Sequence, residues 1–210
     1  PDLSIAGPTV EALRFRGDEA EISEMFANLM ANDMVKGNKS KVHPTFVEAI
    51  KELTPLDAKL FAACIDTAPA PIAGYAIKTQ GVQGDSLAAF PFSETIIQKA
   101  SIGRNLEISE WQVSIENMQR LGLITLKTDA WLTSQENKTW YEKAEQHPLG
   151  QGLRRDMSDN QTIAIKKGIL YVTQMGKTFS TVALASPKSR ASLGARCVLD
   201  TFACRVLVLL

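Results

Sequence analysis

Little in this 210-residue chain points to chemistry. It has two histidines, His43 and His147, and three cysteines, Cys64, Cys197 and Cys204. The cysteines form no C-x-x-C pair and no even framework, so a disulfide scaffold and a thiolate zinc site are both unsupported. Buried or free thiols in a reducing compartment are the expected reading, and with no secretory leader pattern the expected location is cytoplasmic. Net charge is also missing: 23 Lys and Arg balance 23 Asp and Glu. That removes the global attraction typical of nucleic-acid binders and leaves only local basic patches. Phosphate-loop, H-E-x-x-H and G-x-S-x-G signatures are absent, and "GQGLRR" (150–155) follows no βαβ strand and reads as a turn. The expectation is a protein that is not an enzyme, with no cofactor and no metal. The most apolar run, "CVLDTFACRVLVLL" (197–210), has 14 residues and contains Asp200 and Arg205. A membrane span takes roughly 20 apolar residues. The run reads as a buried or partner-packed terminal element without stable membrane insertion.

What is present is a globular composition, 45% hydrophobic and 22% charged, in a length that suits one domain plus a small lobe. Residues 18–34 carry Ile22, Met25, Phe26 and Leu29 on one helical stripe, with Asp18 and Glu21 at capping-box spacing. "KGNKSK" (36–41) is a polar, basic loop. The next helix begins at His43-Pro44. Proline disfavours helical geometry in the residue before it, so His43 belongs at the boundary, where an imidazole can accept from a free backbone N–H. His147 also precedes a proline and reads the same way. A third helix follows, with Thr54 as N-cap and Pro55 at the first helical position.

Beyond Asp66 the period changes. "PIAGYAIKT" (71–79) alternates as a short strand, and residues 80–92 read as a Gly-rich loop. A short helix starts at Ser93. "ISEWQVSIENMQRLGLITL" is a longer helix capped by Ser109, with Trp111, Ile115, Met118 and Leu121 as its core stripe. It stops at Gly122 and leads into a strand at Leu123. Two short strands around Gly168 follow, then a helix starting near Thr173, then a linker from Ala185.

From Thr54 the order is helix, strand, helix, helix, strand, strand, helix, which is that of a winged helix, a helix-turn-helix variant with a small antiparallel sheet. The expected fold is therefore α+β and mainly α. A helical N-terminal lobe (1–53) precedes a winged-helix-like domain (54–184), and a linker with an apolar extension follows (185–210). Two departures are a long insertion after the first strand and a wing loop from about Lys127 to Gln161. Residues that could meet a nucleic acid or a partner are Asn117 and Arg120 on the third helix, Trp140, Arg154 and Arg155 in the wing loop, and Lys166 and Lys167 on its far strand. Glu116, in the middle of the third helix's outer face, opposes phosphate contact.

Residues 26–61, "FANLMANDMVKGNKSKVHPTFVEAIKELTPLDAKLF", resemble the signature region of the Abi-alpha (abortive infection alpha) family of bacterial and prophage proteins. Their "FA-L-A-AM", "HPSF-EIIKQLSP-EA", "NL-RLGLI" and "LT--GK-F" phrases match 26–34, 43–55, 117–124 and 172–179. The resemblance implies a setting in phage resistance and carries over no catalytic residue. The expected function is a non-enzymatic interaction protein recognising a phage or host macromolecule. The alternative is a winged-helix DNA-binding transcriptional regulator, and a nuclease built from dispersed acidic residues is a third reading.

Overall fold

The computed structural model describes residues 2–35, 37–100, 102–104, 106–155 and 157–184. In chain order they form α1 (Leu3–Arg16), α2 (Ala20–Met34), a 3-10 turn (Lys39–Lys41), α3 (Pro44–Glu52) and α4 (Pro55–Thr67). Then come β1 (Ala70–Thr79), β2 (Asp85–Phe92), α5 (Glu94–Lys99), α6 (Ile108–Arg120) and β3 (Ile124–Lys127). The chain continues through α7 (Gln135–Glu145), α8 (Pro148–Arg155), β4 (Gln161–Val172) and α9 (Gln174–Ala183). The fold is α+β and mainly helical, as expected. The described residues divide into two compact units, residues 2–55 with 177–184 and residues 56–176, and α9 passes from the second into the first. The expected linker and apolar extension (185–210) lie outside the described residues.

The first unit is helical. Its core holds Ile22, Met25, Phe26 and Leu29 of α2 with Phe46, Val47 and Ile50 of α3. Phe46 meets Phe179 of α9 edge-on at 5.4 Å. Two buried asparagines of α2 serve α9: Asn28 Nδ2 donates to the Ala183 carbonyl at 3.0 Å and Asn32 Nδ2 to that of Val182 at 3.1 Å. Helix ends leave carbonyls unsatisfied, and these amides supply the missing donors. Arg16 does the same for α3. Its guanidinium binds Glu19 and donates to the carbonyls of Ile50, Lys51 and Leu53.

Two readings are corrected in this unit. The sequence offered no helix before residue 18, yet α1 is 14 residues long. Gly7 and Pro8 interrupt its pattern, and Pro8, five residues after Leu3, removes only one internal amide. Asp18 and Glu21 form no capping box, because α2 starts at Ala20 with Glu19 at the N-cap and no side-chain cap bond. At α3 the expectation holds: His43 is the N-cap, extended at φ −121° and ψ 140°, and its side chain accepts from the Thr45 N–H. The imidazole is exposed and its Nδ1 is the acceptor, at 3.2 Å.

The second unit is built on one antiparallel sheet ordered β2-β1-β4-β3. Ile72 pairs with Gly168, Ile77 with Ile163 and Ile124 with Val172, so the pairing of β1 with the Ile163–Tyr171 region is present. β4 is one continuous strand, not two. Gly168 sits inside it because a Cβ there would lie 2.6 Å from the Lys127 carbonyl oxygen. Residues 80–92 are not all loop, since 85–92 form β2 against β1. The stretch from Lys127 to Gln161 is not a loop either, because it contains α7 and α8, and "GQGLRR" is helical.

On α6, Trp111, Ile115 and Met118 are fully buried as expected. Leu121 is not core; it is the half-buried C-cap, and Leu123 is the buried residue instead. Gly122 takes φ +69°, the Gly122 N–H donates to the Gln119 carbonyl, and that of Leu123 donates to the Met118 carbonyl. This is a Schellman closure, which needs a left-handed residue where glycine stands. Ser109 is not the cap: Glu107 is, in a reciprocal capping box with Glu110. Thr173 fills its expected role, its Oγ1 accepting from the Gly176 N–H at 2.9 Å in the first turn of α9.

Candidate functional site

The second unit holds an open cleft of about 480 Å³. Four parts of the chain line it: Phe92 at the end of β2, Glu94, Ile97 and Gln98 on α5, the connection and start of α6 (102–104, 106 and 108), and His147 ahead of α8. The volume lies within the roughly 300–1,000 Å³ usual for ligand sites. The local sequence accounts for the placement. β2 delivers Phe92 to the sheet edge, where it stacks on Tyr75 at a centroid distance of 6.0 Å. α5 then turns Glu94 and Gln98, four residues apart, to the same side.

His147 lies over Phe92 with ring centroids 4.8 Å apart, and its Nε2 donates to Glu94 Oε1 at 2.9 Å. Its backbone carbonyl accepts from the Gln151 N–H as α8 starts, so the expected helix-start role is present. The bond to Glu94 adds a second role. Arg104, also in the lining, grips Glu110 with both terminal nitrogens, at 2.6 and 2.7 Å. That bidentate bond, with the Glu107 N–H, holds the Glu110 carboxyl down at about 2. Behind the cleft Tyr75 donates its hydroxyl to the Ala144 carbonyl, and burial pushes its pKa up to about 12.

The seven candidate contact residues named from the sequence are not in the lining of this cleft. Asn117 and Arg120 are joined on α6, Arg120 donating to Asn117 Oδ1 at 2.7 Å while Asn117 Nδ2 donates to Asp57 Oδ2 at 3.0 Å. Trp140 and Lys167 both meet Tyr141: the indole edge-on at 5.4 Å, the ammonium over the ring at 5.6 Å. The Tyr141 hydroxyl donates to the Gly168 carbonyl at 2.7 Å and so ties α7 to β4. Lys166 is exposed on β4, one residue along and therefore on the opposite face from Lys167. Arg154 and Arg155 are exposed in the last turn of α8. Among the described residues no group of three or more His, Cys, Asp or Glu is placed to hold a metal ion, and no helix is long and apolar enough to cross a membrane.

The fold defines a mainly helical α+β protein with a four-stranded antiparallel sheet. The family model described as "Abortive infection alpha" matches residues 1–183, and the chain belongs to that family. No curated protein matches. A solved structure, that of an uncharacterized protein from the hydrocarbon-degrading marine bacterium Alcanivorax borkumensis SK2, is similar with a TM-score of 0.42 at 16% identity. That similarity covers 67% of this chain and 93% of the other.

Proposed function

We propose that this protein acts in abortive infection of phage-infected bacteria as a non-enzymatic interaction protein that recognises a phage or host macromolecule through residues 56–176. The family match supports the biological setting. The cleft carries the recognition reading: its ionisable groups are tied to carboxylates, His147 to Glu94 and Arg104 to Glu110, beside an aliphatic wall. Such a surface suits binding of a complementary surface. Residues 54–184 are read as a winged-helix-like body, supported by the run α4, β1, α5, α6, β3, β4, α9 and by β4 lying between β1 and β3. In this reading β2 is an added edge strand, and α7 and α8 enlarge the wing.

A protein partner is favoured over DNA by the outer face of α6. Val113 is 66% exposed there, Glu116 accepts from Gln112, and Arg120 is engaged with Asn117. Phosphates meet an apolar and acidic surface unfavourably.

Expression of the chain in a sensitive host, challenged with a phage panel, tests the role. Reduced plaque formation with death of infected cells is expected, together with a phage or host protein cross-linked to residues 56–176. Unchanged plaque counts for at least one phage-matched host expressing folded protein, with no cross-linked partner, overturn the proposal.

A further inference from the structure

The chemistry of the cleft narrows the partner, an inference that rests on the recognition reading above. Its lining mixes two kinds of group: Ile97, Ile102, Leu106 and Ile108 are aliphatic, while Glu94 and Gln98, on the same face of α5 as Ile97, bring acceptors. The Glu94 side chain is 49% exposed, and His147 engages its Oε1. A carboxylate accepts about four hydrogen bonds, so acceptor capacity remains after that one. The cation in the lining, Arg104, is neutralised by Glu110, which is not part of the lining. Glu94 is thus the acidic group of the lining, half-exposed and with acceptor capacity left beside its bond to His147.

We infer that the cleft takes a lysine or arginine side chain of a protein partner, flanked by aliphatic residues. The cationic head meets the Glu94 carboxylate, with the Gln98 amide oxygen four residues away as a second acceptor. The methylene stem lies along Ile97, Leu106 and Ile108, as long basic side chains do on apolar surface. A volume of about 480 Å³ exceeds what one side chain fills, so backbone and a flanking residue of the partner enter as well. The occupant is a short basic–aliphatic segment.

Amide NMR spectra of the whole chain, titrated with capped Leu-Lys-Leu and separately with capped Leu-Glu-Leu, test this directly. Leu-Lys-Leu shifts the amides of Gln98, Gly103 and His147 with a Kd on the order of millimolar. Leu-Glu-Leu does not, and E94Q weakens the lysine peptide at least about tenfold, a loss of about 1.4 kcal/mol. I97A, which shortens the apolar side of the lining and leaves the charge in place, also weakens the lysine peptide, and an unchanged amide spectrum away from the cleft shows that E94Q is folded. Equal response to the two peptides, an unchanged affinity in E94Q, or no response at tens of millimolar overturns the inference. Peptide binding without phage protection refutes only the abortive-infection role. Protection without peptide binding refutes only the basic-segment assignment.

Discussion

Asn117 on α6 donates from Nδ2 to Oδ2 of Asp57 on α4 at 3.0 Å. Asp57 is 2% exposed, so this amide satisfies a carboxylate that has lost water. The Oδ1 of the same amide receives Arg120. A residue whose position suggested outward contact is therefore also an internal tie between the two helices.

Replacing Asn117 by Ala leaves a buried carboxylate short of one donor, which costs about 1–3 kcal/mol. R120A removes the exposed bond to Asn117 and stays within about 0.5 kcal/mol of wild type. Urea denaturation of both variants makes the comparison. Equal stabilities would mean that Asn117 does not support Asp57.

Local signals marked most of the second unit and missed its site. The stripe Trp111, Ile115, Met118 has helical spacing, Gly122 closes the helix and Thr173 opens α9, each within a few residues. Nothing local marks β2, because a strand behind Gly81 and Gly84 is recognised only by its pairing with β1. α7 buries only Tyr141 and Ala144 among eleven residues, too few for a visible stripe. α8 carries Gly150, which argues against a helix until its neighbour is seen: a Cβ there would stand 2.7 Å from the Tyr75 ring. The His147–Glu94 bond joins residues 53 positions apart, and no spacing in the sequence announces it.

Gly176 reverses the usual effect of glycine in a helix. Alanine at an ordinary helix position gains about 1 kcal/mol over glycine. Here an added Cβ would lie 2.1 Å from the Leu123 carbonyl oxygen and 2.9 Å from Val172 Cγ1. Both neighbours are fixed, Leu123 O also receiving the Thr173 amide. G176A is expected to lose about 1–3 kcal/mol by overpacking. A thermal melt at or above wild type would contradict the close approach.

His43 separates capping from chemistry. Its Nδ1 accepts from the Thr45 amide, as smaller capping side chains do. H43A is expected to cost about 0.5–2 kcal/mol, whereas H43N keeps an acceptor and stays near wild type. Both variants should retain phage protection where they are folded. A well-folded H43N that fails to protect would move His43 into the recognition surface.

The Arg104–Glu110 pair sets a pH limit on the start of α6. Glu110 is held at about 2, below its ordinary 4.5, first by the Arg104 guanidinium and then by the Glu107 N–H, with burial opposing. A carboxyl whose folded pKa lies below its unfolded value stabilises the fold fully above the unfolded value, near 4.5, and loses that contribution as pH falls toward about 2. Down to about pH 4 the capping box therefore remains intact, and its loss is confined to more acid solution. Carboxyl-carbon NMR of Glu110 should titrate near the bottom of this window. In R104Q the largest cause is gone, and the midpoint should rise toward 4.5. Any residual depression then measures the Glu107 amide against the opposing effect of burial, because neither involves Arg104. A midpoint that R104Q leaves unmoved would show that the guanidinium is turned away from Glu110 in solution, and the cleft would then carry a cation of its own beside Glu94.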